Sequence, residues 1–304
     1  LLERAGVPLL DDTADGSAGS GLMHHKFLVV DRQRVFTGSA NFTSSGIHGD
    51  AGQASSRGNV NHLLQLESPK LAKLFAEEFE QLWGDGPGGL RNSRFGLGKQ
   101  ARSLQKVRLG EDSVGVLFAP HRRHDRNHGL ELIAEQLDQA KRSIDLALFV
   151  FSAQELADVL AAKHQQGVQI RVLVDPGFAH RSYSEWLDLQ GLAMADHRCR
   201  IEAGNNPWPA PLQTLGTPRL PRGDKLHHKF AVIDDHTVIT GSFNWSPAAA
   251  HTNDETLLVI DSPTLASHFS REMDRLWQAA TLGMTPGLEK KLQRQQRLCG
   301  SGLR

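Results

Sequence analysis

Residues 22–46 read LMHHKFLVVDRQRVFTGSANFTSSG, and residues 226–249 read LHHKFAVIDDHTVITGSFNWSPAA. The same residue types fall at the same offsets in both stretches, so the chain holds an internal repeat. In an extended strand residues i and i+2 share a face. His24 and Lys26 therefore point the same way, as do His227 and Lys229. Residues 27–30 and 230–233 are apolar on both faces, which predicts two interior strands. Each runs through a short polar turn into a second strand ending Gly-Ser-x-Asn. Ser39 and Asn41 share a face there, as do Ser242 and Asn244, while Gly38 and Gly241 permit close approach of another backbone. An imidazole beside an ammonium on a buried strand is costly unless an anion compensates, which favours a functional reading.

The likeness continues outward. LLQLESPKLAKLFAEEFEQLW (63–83) parallels LLVIDSPTLASHFSREMDRLW (257–277): a strand, a Ser-Pro helix start and an amphipathic helix ending at Trp83 or Trp277. Ahead of the second hairpin, apolar runs at 114–118, 144–151 and 169–174 alternate with helical spacing over 129–140 and 153–165, the rhythm of an α/β layered domain. The first hairpin has only residues 1–12 in the matching place. The expected organisation is the later part of a first repeat (1–83), a basic Gly-rich linker (84–111), a full second repeat (112–280) and a basic tail (281–304). A βαβ-rich segment is expected to be missing ahead of residue 1, which would leave apolar surface uncovered beside the first hairpin.

Composition narrows the function classes. The 304 residues carry 34 basic and 34 acidic side chains, so a nucleic-acid partner would need a local basic patch. The linker offers Arg91, Arg94, Lys99, Arg102, Lys106 and Arg108. Its Gly98-Lys99 is not a phosphate loop, because Gln100 stands where Ser or Thr is needed. Cys199 and Cys299 have no metal-ligand spacing and suggest no disulfide framework; they read as two thiols. No apolar run approaches the roughly 18 residues of a membrane span.

Two such hairpins facing each other would enclose a tetrahedral anion with two imidazoles, two ammonium groups and neutral hydrogen-bond donors. Phosphoryl transfer needs that inventory: an in-line nucleophile, a proton donor for the leaving oxygen, and fixed positive charge for the equatorial oxygens. One histidine can attack phosphorus, giving a phosphohistidine, while the other protonates the leaving alcohol and later activates water. Two lysines would replace the charge neutralisation that a metal supplies.

The pattern H-x-K-x4-D-x6-G-S-x-N, present twice, resembles the phospholipase D superfamily. His24, Lys26, Asp31, Gly38, Ser39 and Asn41 match it in the first half; His227, Lys229, Asp234, Gly241, Ser242 and Asn244 match it in the second. The resemblance implies an α/β fold of two pseudo-twofold-related α/β/α sandwich repeats with mixed sheets. It places one active site at their interface, internal to one chain, so a monomer suffices. It also implies metal-independent hydrolysis with no cofactor, His24 as nucleophile and His227 as general acid/base; the residues alone allow the reverse. The family usually adds a carboxylate behind each catalytic imidazole. Glu255 fits that role for His227; in the first half Asn61 stands opposite Glu255, and Asp50 is the substitute.

Plainer roles suit the neighbours. Asp31 and Asp234 close a strand before a turn, where Asp bonds local backbone. His25 and His228 alternate away from the catalytic face and read as packing or supporting groups; their pairing with the adjacent histidines does not make a zinc site without further ligands. Trp208 and Trp245 read as packing residues. Within the superfamily the motifs look most like the bacterial nuclease and mitochondrial cardiolipin-hydrolase-like branch, so the substrate is nucleic acid or phospholipid. Arg122, Arg123, Arg126, Arg219, Arg222 and Lys225 near the expected site mouth favour a single-stranded nucleic acid. A phospholipid enzyme would use the Pro-rich segment 205–226, with Trp208, as a lipid-facing lip. A non-catalytic scaffold is a third reading, opposed by two intact signatures.

Overall fold

The computed structural model describes residues 2–15, 21–50 and 52–300. The first repeat comprises the hairpin β1 (Phe27–Val30) and β2 (Arg34–Gly38), the short helix α1 (Ser44–Ile47), β3 (Leu63–Glu67) and α2 (Pro69–Trp83). The second begins with β4 (Gln105–Leu109), β5 (Asp112–Ala119), α3 (Gly129–Asp138), β6 (Ser143–Leu148), α4 (Gln154–Gln165) and β7 (Gln169–Val174). Short elements α5 (Pro176–Ala179), α6 (Glu185–Leu189) and β8 (Leu215–Thr217) lead into the second hairpin, β9 (Lys229–Ile233) and β10 (Thr237–Gly241). There follow α7 (Pro247–His251), β11 (Glu255–Asp261), α8 (Pro263–Trp277), β12 (Thr281–Leu282) and α9 (Pro286–Cys299). The matched helices α2 and α8 start alike: Ser68 and Ser262 accept from the backbone N–H of Leu71 and Leu265, with proline at the first helical position.

The strands form two sheets. One is three-stranded and antiparallel, β1-β2-β3; the other is mixed, in the order β12-β8-β7-β6-β9-β10-β11-β5-β4, with β6, β7 and β8 parallel. Alternation along the large sheet sorts its side chains into two layers. Ala231, Ile233, Leu257 and Val259 pack with α3 and α4, while Phe230, Val232, Leu258 and Ile260 face the other way. On that second side Leu71 and Phe75 of α2 meet Val35 of β2 together with Val114, Val116 and Phe118 of β5. Helix α8 packs there too, through Phe269 and Met273. The two repeats thus share one continuous interior, and their hairpins meet at its edge.

Three expectations change. Strand β9 is interior, flanked by β6 and β10, but its counterpart β1 is an edge strand, because no strand among the described residues stands where β6 stands beside β9. The first sheet leaves apolar surface open, with Leu28 48% and Leu63 44% exposed. The connector is ordered into the fold: β4 pairs with β5, and the side chains of Lys99 and Arg102 are only 5% and 19% exposed. The two cysteines form a disulfide, Cys199–Cys299, with Cα atoms 5.4 Å apart, tying the end of α9 to the loop after α6. Spacing could not show this, since the partners come together only when α9 docks through Leu288, which is 1% exposed.

Candidate active site at the repeat interface

Each hairpin hooks onto the strand that follows it. Ser39 N donates to His62 O (3.1 Å) and Ser242 N to Thr256 O (3.0 Å). The glycine before each serine is required by this closeness: a Cβ at Gly38 would lie 2.4 Å from His62 O, and one at Gly241 2.2 Å from Thr256 O. Gly241 also has a positive φ of 126°. The hook carries Asn61 and Glu255, one residue earlier, to the interface between the repeats.

There the partners cross over. His24 N donates to Asp254 O (2.9 Å), and His227 N donates to Val60 O (2.9 Å), so each HxK segment pairs with the opposite repeat. Isolated bridges Met23–Asp254 and Val60–Leu226 extend that pairing. Nδ1 of His24 lies 2.8 Å from both carboxylate oxygens of Glu255. Nδ1 of His227 lies 3.0 Å from Asn61 Oδ1 and 2.9 Å from Ser39 O. Glu255 therefore serves His24 rather than His227, and Asn61 takes the matching place behind His227. Asp50 plays no part: its carboxylate accepts from Gly52 N in an exposed loop.

These bonds fix both tautomers, because an Nδ1 facing a carboxylate or carbonyl oxygen must carry the hydrogen. Nε2 of each ring is left for a reacting group. The lysines are buried beside them, Lys26 4% and Lys229 1% exposed. Lys26 Nζ donates to His24 O (2.5 Å) and Lys229 Nζ to His227 O (2.8 Å), the same bond in both repeats. Lys229 also sits over the Phe149 ring, 4.9 Å from its centroid, and that ring is 4.7 Å from the His227 ring.

The electrostatics follow from burial of like charges. His227 is held down to about 2, by burial first and then by the charges of Lys229, Lys26 and His24. Lys26 is lowered to about 8 by burial, with Glu255 opposing. Lys229 lies well below the ordinary lysine value, because it is buried and close to Lys26, with Glu255 and Asp175 opposing. Charges that act on one another in this way belong to one site. That site has an excess of cationic groups over Glu255 and suits an anion.

Both serine hydroxyls are engaged within the fold. Ser242 Oγ donates to Glu255 Oε2 (2.6 Å) and accepts from Thr256 N (2.9 Å), so its hydroxyl steadies the carboxylate. Ser39 Oγ accepts from His62 N (3.2 Å) and lies 3.2 Å from His62 Nδ1. Asn41 and Asn244 are partly exposed, and Asn244 Oδ1 is buried without a hydrogen-bond partner, a group the fold does not use. Asp234 accepts from the backbone N–H groups of Lys141, Arg142 and Ser143, clamping the start of β6. Asp31 is exposed and, among the described residues, has no such strand beside it.

Behind the imidazoles lie supporting groups of which sequence reading named only His25 and His228. His25 Nδ1 meets Thr256 Oγ1 (2.8 Å) and its Nε2 meets Glu78 (3.2 Å). In the other repeat His228 meets His62 (3.1 Å) and Glu272 (3.2 Å). The offsets from His24 and His227 marked the first member of each set; His62, Glu78 and Glu272 sit on elements whose mutual contact no local pattern reveals. Donor atoms of His25, Glu78 and Asp254 come within 4.8 Å of one another. The ammonium of Lys99 already bridges the two carboxylates of that cluster. Trp208 and Trp245 are buried, so Trp208 cannot form a lipid-facing lip.

The chain resembles known proteins in sequence and in fold. The family model described as cardiolipin synthase, PLD-like domain, matches residues 1–83 and 133–277, well over half of the chain. Mitochondrial cardiolipin hydrolase of Xenopus tropicalis is 32% identical over 140 residues, covering 46% of this chain and 57% of that protein. Phospholipase D of Rickettsia bellii is 30% identical over 161 residues, covering 53% of this chain and 67% of that protein. The chain thus spans little more than half the length of the first curated relatives it matches. Among solved structures, phosphatidylserine synthase of Haemophilus influenzae Rd KW20 superposes over 92% of this chain and 69% of that one, with a TM-score of 0.57 at 14% identity. That likeness is one of fold.

Proposed function

The chain belongs to the phospholipase D-like family described by the cardiolipin synthase model, and on that premise we propose that it hydrolyses phosphodiesters through a phosphohistidine on His24. The observation that carries the proposal is the crossed pairing of the imidazoles, His24 with Glu255 and His227 with Asn61. His24 Nε2 attacks phosphorus while His227, protonated once the substrate's anion offsets the lysines, gives its proton to the leaving oxygen. His227 then takes a proton from water, and the hydroxide displaces the phosphoryl group from His24, leaving a phosphomonoester. The roles are unequal because the acceptors are unequal. A phosphohistidine that keeps its Nδ1 hydrogen is cationic, and the Glu255 carboxylate stabilises it. Neutral acceptors behind His227 leave its imidazolium more acidic, which suits proton donation. Lys26 and Lys229 take the equatorial oxygens.

The substrate we propose is single-stranded nucleic acid. Phe149 against His227 and Phe178 against Phe149 (4.5 Å between ring centroids) make an aromatic step leading away from the site. Arg181 lies 6.0 Å over Phe178, and Arg219, Arg222 and Lys225 are exposed. Stacking surfaces beside cations suit bases next to a phosphate. The second reading, hydrolysis at a phospholipid headgroup, is favoured by the names of the relatives. No helix among the described residues is long and apolar enough to cross a membrane.

The test is hydrolysis of a chromogenic phosphodiester in excess chelator, followed by a comparison of single-stranded DNA and RNA with phosphatidylcholine and cardiolipin vesicles. Activity that survives the chelator and is lost in His24→Ala and His227→Ala is expected. Abolition of turnover by chelator contradicts the mechanism, and cleavage of lipid alone contradicts the nucleic-acid reading.

A further inference from the structure

Among the described residues, the support behind His24 differs from that behind His227 in how its glutamate is answered. In both repeats the histidine after the catalytic one bonds a glutamate of the following helix, His25 to Glu78 and His228 to Glu272. Glu272 is then answered by Arg275 of its own helix. Glu78 is answered from the connector: Lys99 Nζ bridges Glu78 and Asp254 (2.6 Å to Asp254) and donates to Ala119 O (3.0 Å), while Arg102 binds the other oxygen of Glu78 (2.5 Å). Asp254 stands where the first repeat has Val60, which offers no charge. Its carboxylate also accepts from Gly96 N (3.0 Å), and its main-chain oxygen accepts from His24 N (2.9 Å). The next residue is Glu255, which holds the His24 imidazole.

We propose that Lys99 is a positioning residue for the reaction: its buried ammonium locks the Asp254–Glu255 corner of the second repeat to α2 of the first and so fixes the His24 imidazole. The assignment rests on the phosphohistidine reading above. Three oxygens, from α2, from the β5 end and from the corner ahead of β11, converge on one ammonium that is 5% exposed. With the cation removed, Glu78 would keep Arg102 but the buried Asp254 carboxylate would lose its cationic partner and face Glu78, and the corner would move away from His24. Arg102 is the internal control, since it shares Glu78 but does not touch Asp254. A strut of this kind acts on catalysis through geometry, so its loss falls on kcat more than on KM.

The experiment compares Lys99→Met with Arg102→Met, measuring kcat and KM on a phosphodiester, the thermal midpoint, and the proton resonance of the His24 Nδ1–H bonded to Glu255. Lys99→Met is expected to lower kcat about 30- to 100-fold, with KM changed by less than about threefold and the His24 resonance broadened or lost. Arg102→Met is expected to keep kcat within about threefold and to retain that resonance, although both variants lower the midpoint. A folded Lys99→Met with near-normal kcat and an intact resonance overturns the proposal, as does an equal loss of kcat in both variants. Should Lys99→Met fail to fold, Asp254→Asn, which keeps the main-chain bond to His24, is expected to show the same loss of kcat; an unchanged kcat there overturns it equally. Because the resonance needs no turnover, an inactive wild-type chain would sink the enzymatic reading while still deciding whether Lys99 orders His24.

Discussion

At the scale of single residues the decisive difference is a carboxylate behind one imidazole and an amide behind the other. Glu255→Gln keeps the size of the group but removes the charge that would stabilise the proposed cationic phosphohistidine, and its amide allows the wrong ring tautomer. It is expected to lower kcat about 10³-fold with little change in stability, as steady-state kinetics and thermal melts will show. Asn61→Asp works in the opposite direction on His227. A carboxylate at 3.0 Å from Nδ1 raises the pKa of a histidine now held down to about 2, so the alkaline limb of the pH–rate profile moves to higher pH. A limb that stays in place contradicts the role given to His227. The His-x-Lys and Gly-Ser-x-Asn spacings made most of this site legible, because i, i+2 alternation in an extended chain turns each imidazole the way of its lysine, even though His24, Lys26 and His227 lie just ahead of β1 and β9. The crossing was not legible. Aligning the repeats correctly matched Asn61 with Glu255, yet equivalence between copies cannot say which copy's histidine each one serves.

At the scale of elements the same hairpin has two fates. Strand β9 has β6 beside it and helices over its face, whereas β1 is an edge with Leu28 48% exposed. The apolar run 27–30 predicted an interior strand because composition reports what a strand is able to bury, and burial depends on neighbours the run does not contain. The contrast gives a matched pair of substitutions. Leu146→Ala in β6, fully buried, is expected to cost about 3 kcal/mol, while Leu28→Ala stays within about 0.5 kcal/mol, measured by denaturant titration. Similar costs at both sites would mean that the β1 face is covered. Lys99 was hidden for a related reason: basic residues in a Gly-rich stretch read as a solvated connector, and only the fold brings Glu78 and Asp254 around one of them.

For the molecule as a whole, the buried histidines set the response to acid. His25, His62, His227 and His228 are all lowered, each by burial first. Between its folded value and the unfolded value near 6.5, such a histidine binds its proton only in the unfolded chain. The histidines' share of stability is therefore complete above about pH 6.5 and falls as the pH drops, by at most about 1.4 kcal/mol per pH unit for each. Glu272, lowered to about 2 by Arg275 and His228 despite burial, adds to the loss below about pH 4.5. Denaturant midpoints measured from pH 8 to pH 4 should decline from about 6.5; a flat profile down to pH 5 would contradict this. Cys199–Cys299 spans 100 residues of chain, and Cys299→Ser is expected to cost about 2–4 kcal/mol.

The account stands on two imidazoles from different repeats meeting at one phosphate, and calorimetric titration with inorganic phosphate tests that most directly. One anion is expected to bind per chain, with His24→Ala and His227→Ala each abolishing the same binding event. Two anions per chain, one lost with each histidine, would contradict it.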